Sequence, residues 1–216
     1  MKGKELISNV IEIGAKTALS VIPVGGELIS SVWDAVKANA AEKRMSEWKS
    51  LIEERLHKLE VSLDDIGNNE LFTSALMNAT DAALRTAEED KRKYLANVVN
   101  NSILRPVEES KLMMFLDLVN RLTIWHVAML HFFRDPTEGG RNSVNSYLMG
   151  SPSTVLKDAH PELTKDMDMT MKIVRDLQSD GLMHQGEFMN VGMSAQGMVT
   201  PRTTQFGNEF LDYIMK

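Results

Sequence analysis

The chain has 216 residues, of which 43% are hydrophobic and 25% charged, and its formal net charge is −6. This composition is typical of a globular protein with a buried core. The negative balance argues against a free-standing nucleic-acid binder, because such proteins usually carry a basic surface. The chain contains no cysteine, so disulfides, thiolate metal ligands and a cysteine nucleophile are excluded.

The N-terminal segment predicts an amphipathic helix over residues 4–22. Its apolar face is formed by Ile7, Ile11, Ala18 and Ile22. Such a face can pack into a helical bundle or lie on a membrane, and residues 4–31 are therefore a candidate membrane or partner contact. Because helices that bind membrane surfaces are usually richer in cations, packing into the bundle is the favoured alternative.

Targeting signals are not expected in this chain. Glu5, Glu12 and Lys16 interrupt the segment in which a secretory signal needs an uninterrupted apolar region. No apolar run reaches the roughly 18 residues that a transmembrane helix needs. We therefore expect a cytoplasmic protein, with attachment to a membrane surface as the alternative.

A helical bundle is predicted over residues 1–120. After the first helix it contains four more, over residues 27–60, 69–87, 88–104 and 107–122. The long helix carries an apolar stripe between its charged residues, formed by Met45, Trp48, Leu51, Ile52, Leu56 and Leu59. Because one bundle need not cover the whole stripe, self-association is expected.

Residues 121–216 predict a winged-helix-like domain with one β-hairpin, so the fold class is mainly α. One short apolar helix follows Thr123, and a later helix has Thr164 as its N-cap and Gly181 as its stop. Glycines between short apolar runs predict the hairpin within residues 184–200. The order of elements resembles a winged helix, and the segments that carry the resemblance are "LTIWHVAMLHFF", "IVRDLQSDGLM" and "VTPRTTQFGNEFL".

The charges of the third helix of this domain bear on DNA binding. Lys165, Lys172 and Arg175 are its candidate phosphate contacts. The aspartates that offset them are Asp166, Asp168, Asp176 and Asp180. The apolar face, which includes Met167 and Leu177, is assigned to the core. DNA binding is therefore disfavoured, and a protein-contact or dimerisation surface is preferred.

The wing segment "HQGEFMNVGMSAQGMVT" contains no lysine or arginine. Its methionines suit either an adaptable protein contact or an irregular core, and core filling is the favoured alternative. The methionines in question are Met183, Met189, Met193 and Met198. A wing without cations agrees with the charge balance of the third helix.

Catalytic and metal-binding patterns are weak throughout the chain. Glu54 and His57 form a single Glu-x-x-His pair, whereas a di-iron carboxylate site needs a second copy. His126 and His131 lie on an apolar helix, where a partly buried, hydrogen-bonded histidine is the expected state. There is no phosphate-binding glycine loop and no nucleophile elbow. We therefore expect a non-enzymatic protein without cofactor or metal.

The N-terminal half combines "ALSVIPVGGELISSVW", an apolar helix with a Pro-Gly-Gly break, with a long charged helix and then "ALRTAEEDKRKYLANVVNNSI". This layout resembles the abortive infection alpha group of bacterial proteins. The resemblance implies antiviral defence through arrest or death of the infected cell. The predicted function is a regulatory or interaction protein that acts through protein or membrane contacts. The alternative is a winged-helix transcriptional regulator that binds DNA.

Overall fold

The computed structural model describes residues 27–57, 68–138 and 148–216, with side chains from residue 41 onward. In this part of the chain the fold is mainly helical, with one small two-stranded antiparallel sheet. The chain divides into two compact units between Arg121 and Leu122, and Ile214–Lys216 belong to the first. The predicted helix over residues 4–22 and its candidate contacts Ile7, Ile11, Ala18 and Ile22 lie outside the described residues.

Helices are the only regular secondary structure in the described residues of the first unit. Its helices are α1 (Glu27–His57), α2 (Glu70–Arg85), α3 (Glu89–Leu104) and α4 (Glu109–Arg121). These bounds confirm the helices predicted over residues 69–87, 88–104 and 107–122, within two residues at each end.

Local chemistry explains where the helices of the first unit begin and end. The side chain of Asn69 caps α2 by accepting a hydrogen bond of 3.0 Å from the amide of Phe72. At the other end of α2, Arg44 donates to the carbonyl of Leu84 at 2.9 Å. Glu89 and Asp90 place negative charge in the first turn of α3, where the helix dipole favours it. The cap and the first-turn charges can be recognised from a few neighbouring residues of sequence. The contact from Arg44 cannot, because it joins residues 40 positions apart.

The apolar stripe of α1 packs into the core of the first unit. Trp48 and Ile52 are 0% and 1% exposed, and the indole nitrogen of Trp48 donates to the hydroxyl of Thr80 at 3.0 Å. The core of the unit is completed by buried residues of the other three helices, which include Phe72, Leu76, Leu95, Leu112 and Phe115. The other stripe residues that the structure describes, Met45, Leu51 and Leu56, are half-buried, and self-association through this helix stays a prediction.

The second unit alternates helices with two short strands. Its elements are α5 (Ile124–Arg134), β1 (Met149–Gly150), α6 (Pro152–Ala159), a 3-10 helix (Pro161–Thr164), α7 (Met167–Ser179), β2 (Met193–Ser194), α8 (Ala195–Met198) and α9 (Gln205–Met215). The interior is built from residues of every helix, among them Leu130, Phe133, Leu156, Leu177 and Phe210.

The β-hairpin predicted within residues 184–200 is wrong, because only one of the two described strands lies there. Met149 of β1 pairs with Ser194 of β2, and Gly150 pairs with Met193, so the sheet joins distant segments. The hairpin fails because the apolar residues of this stretch do not alternate between two faces. Met183, Met189 and Met198 are instead buried, at 1%, 2% and 1% exposure, which confirms that these three fill the core, whereas Met193 in β2 is only half-buried.

The N-cap of α7 is Asp166, and not Thr164 as predicted. The carboxylate of Asp166 accepts a hydrogen bond of 3.0 Å from the amide of Met169. Thr164 lies in the 3-10 helix, where its hydroxyl donates to the carbonyl of Pro161. Aspartate and threonine are both good caps, so the sequence pattern did not distinguish the two positions.

The stop of α7 at Gly181 is confirmed. Gly181 has a φ of +71°, which side chains disfavour. The amide of Leu182 donates to the carbonyl of Leu177 at 2.9 Å, and the amide of Gly181 donates to Gln178 at 3.0 Å. These two bonds make a Schellman motif, which satisfies the last carbonyls of the helix.

The turn after α7 is joined to the start of α9 by Thr204 and Gly207. The Thr204 amide donates to the carbonyl of Leu182 at 3.0 Å, and its hydroxyl donates to the carbonyl of Gly181 at 2.6 Å. The same hydroxyl accepts a bond from the amide of Gly207. A Cβ on Gly207 would lie 2.1 Å from the carbonyl oxygen of Leu182, so only glycine fits there. This close approach explains why Thr204 and Gly207 occur in the segment "TTQFGNEF".

Candidate functional site

The helix α7 presents two distinct faces. Its inner face is buried through Thr170, Ile173, Val174 and Leu177. The candidate phosphate contacts Lys172 and Arg175 lie on the outer face and are exposed, while Lys165 is exposed just before the helix begins. The structure therefore places all three predicted residues at the surface in or beside one helix.

The assignment of Met167 to the core is wrong. Met167 is 40% exposed and Met169 is 42% exposed, at the N-terminal end of α7. The cause is the helix start at Asp166, which makes Met167 the first helical residue and leaves it beyond the packed part of the inner face. Two methionines consequently stand at the surface beside Asp168.

Lys172 is engaged within its own helix. Its ammonium group forms an ion pair with the carboxylate of Asp176, one turn further along. The hydrogen bond from Lys172 lowers the pKa of Asp176 below its ordinary value. This pair reduces the positive charge that Lys172 can offer to a phosphate group.

Asp176 also faces His126 at the start of α5. The Nε2 atom of His126 lies 3.5 Å from the Asp176 carboxylate. On the other side of the ring, Nδ1 accepts a hydrogen bond of 3.3 Å from the amide of Thr123 and lies 2.8 Å from the Thr123 hydroxyl. Because an amide can only donate, Nδ1 is unprotonated and Nε2 carries the proton. The expectation of a partly buried, hydrogen-bonded His126 is confirmed.

Burial lowers the pKa of His126, and the neighbouring charges of Asp176, Lys172 and Asp180 act more weakly on it. The folded protein thus favours the neutral ring more than the unfolded chain does. We expect this contribution to stability to be complete above the ordinary histidine pKa of about 6.5. It is lost as the pH falls through the lower pKa of the folded state.

The variant His126→Gln tests this dependence, because glutamine retains a capping side chain and does not titrate. Unfolding by urea should show a smaller loss of stability for His126→Gln than for the unmodified protein between about pH 7.5 and 5. His126→Ala, which removes the cap, should cost ~1 kcal/mol above pH 7.5. Equal pH profiles for the glutamine variant and the unmodified protein would contradict the assignment.

The wing segment is contacted by Arg202, a cation that was not among the predicted site residues. Its guanidinium carbon lies 5.2 Å from the centre of the Phe188 ring, and Nη2 donates to the carbonyl of Gly197 at 2.9 Å. Burial lowers the pKa of Arg202. The only sequence signal was its place directly after the wing. Through these contacts Arg202 stabilises the wing segment.

The described part of the first unit contains a cavity of about 300 Å³ beside the start of α3. It is lined by Glu47, Leu51, Glu89, Arg92 and Lys93. The Arg92 side chain is 9% exposed and pairs with Glu47 at 2.9 Å, and Lys93 pairs with Glu89 at 2.9 Å. Every charged group of the lining is therefore matched by an opposite charge of the protein.

No group of three or more histidine, aspartate or glutamate side chains could hold a metal ion among the described residues. His57 is exposed near the end of α1, where the Glu-x-x-His pair was noted. Among the described helices, none is by itself long and apolar enough to cross a membrane, although α4 and α5 reach that length and composition when taken together.

Comparison of the chain with protein-family models, with curated proteins and with solved structures finds no match. The residues themselves therefore carry the argument about function.

Proposed function

We propose that the second unit is a winged-helix-like module that contacts protein and not DNA. The winged-helix assignment is supported by the order of α5, β1, α6, α7 and β2. It is also supported by the pairing of β1, which follows the first helix, with β2, which follows the third. The sheet is only two residues long on each side, so the wing is held mainly by buried methionines and by Arg202.

The charge pattern around α7 carries the proposal. Phosphate contacts supply most of the affinity of DNA-binding proteins, and they require free cations. On α7, Lys172 is paired with Asp176, and the exposed Lys165 just before the helix is followed in sequence by the exposed Asp166. The wing contributes no cation of its own. A surface of mixed charge with exposed methionines suits contact with another protein.

An electrophoretic mobility shift assay at low salt tests the proposal. We expect no shift of duplex DNA by the unmodified protein, and no change when Lys165, Lys172 and Arg175 are all replaced by glutamate. The regulator alternative makes the opposite forecast: binding by the unmodified protein that the triple variant loses and that weakens steeply as salt rises. That outcome would overturn the proposal.

At the level of the cell, we propose a non-enzymatic role in bacterial antiviral defence. The support is the resemblance of the sequence layout to the abortive infection alpha group, in which a glycine-broken apolar segment leads into a helical bundle. The N-terminal segment would supply a membrane or partner contact, and the second unit would supply a protein contact.

Phage plating tests the role in defence. Bacteria that express the chain should give fewer plaques than bacteria that carry the empty vector, and infected cells should stop growing before phage are released. A variant lacking residues 1–26 should lose the protection if that segment acts on the membrane or on a partner. Equal plating on both strains, across unrelated phages, would argue against this role.

A further inference from the structure

The exposed face of α7 carries a stripe formed by Asp168, Lys172 and Arg175. These residues are four and three positions apart, so they lie above one another on the same side of the helix. Asp168 and Arg175 are separated by two turns, or about 10 Å along the axis. Neither makes an ion pair with another described residue. One end of the stripe is thus negative, and the other end is positive.

This arrangement complements itself when a second helix runs in the opposite direction. A two-fold axis beside Lys172 would place Asp168 of each copy against Arg175 of the other, so that the contact forms twice. A parallel arrangement would place like charges together. We propose that α7 mediates an antiparallel contact between two copies of this chain, with Asp168 and Arg175 as the paired charges. This inference rests on the proposed function, contact with another protein, and identifies the partner as a second copy of the chain.

Two further features of the described residues support a second copy as the occupant. At the centre of the stripe, Lys172 is already neutralised by Asp176, which reduces the repulsion between the two lysines near the axis. On either side of Asp168, Met167 and Met169 expose 40% and 42% of their surface. Methionine side chains adapt to a partner surface and contribute apolar area, while the charge pairs set the direction and register.

The expected dimer is weak and sensitive to salt. A contact through one helix from each copy is small compared with the roughly 1,200–2,000 Å² buried in stable complexes. Charge pairs at such a surface are screened over about 8 Å at physiological ionic strength. Self-association should therefore appear at high protein concentration and decrease as salt is added.

Sedimentation velocity with charge-reversed variants tests the proposal. Asp168→Arg places four positive charges at the two contacts, and Arg175→Asp places four negative charges there. Each variant alone should self-associate about tenfold to a hundredfold less than the unmodified protein, since two exposed pairs change from attraction to repulsion. An equimolar mixture of the two variants should associate again, because each supplies the charge that the other lacks.

Lys157→Asp is the matched control, since it reverses one exposed charge on α6 and should leave self-association unchanged. Recovery in the mixture also shows that both variants are folded. The proposal is overturned if the unmodified protein stays monomeric up to the limit of solubility, or if the mixture does not associate. A monomer that also fails to shift DNA would leave the protein-contact proposal standing and reject only this partner.

Discussion

Replacing Gly207 with alanine is expected to destabilise the protein by about 3 kcal/mol or more. The new Cβ would lie 2.1 Å from the carbonyl oxygen of Leu182, which is backbone and cannot rotate away. Relief of the clash would move α9 away from the turn after α7 and break the hydrogen bonds that Thr204 makes to Gly181 and Leu182. Helix propensity alone forecasts the opposite sign, because alanine is favoured over glycine in a helix by ~1 kcal/mol.

Gly192→Ala is the matched control, because a Cβ at that position meets no atom within 4 Å and its φ is not positive. Urea unfolding of the two variants should give midpoints well apart, with Gly192→Ala close to the unmodified protein. Similar midpoints for both would mean that the approach of α9 to Leu182 is not as close as the structure has it.

The second large effect is expected at Trp48. Trp48→Ala should cost ~3–5 kcal/mol, because the side chain is fully buried between α1 and the other helices of the first unit. Trp48→Phe should cost less than Trp48→Ala. It retains an aromatic ring and loses the hydrogen bond to Thr80, whose hydroxyl still donates to the carbonyl of Leu76.

Ser50→Ala, at an exposed position of the same helix, is the control for Trp48 and should change the free energy of unfolding by less than about 0.5 kcal/mol. Chemical denaturation followed by circular dichroism measures all three variants. A cost below about 1.5 kcal/mol for Trp48→Ala would mean that α1 does not contribute to the core.

Both predictions concern contacts between segments that are far apart in the chain. Neither contact could be predicted from the sequence alone. The charged residues around α7 also show which features can be predicted from sequence and which require the folded structure. Lys165, Lys172 and Arg175 could be identified from the sequence, and the four aspartates that offset their charge already argued against DNA binding. That Lys172 is bound by Asp176, and that Asp176 also faces His126, required the packing of α5 against α7.

From the amino-acid sequence alone we could predict the mainly helical character of the protein, the bounds of α2, α3 and α4, and the stop of α7 at Gly181. Those features depend on periodicity, caps and breakers that act over a few residues. The folded structure was needed to show that β1 pairs with β2, that Asp166 caps α7, and that Gly207 lies against Leu182. Strand partners and close backbone contacts depend on which distant segments pack against each other. A short stretch of sequence does not contain that information.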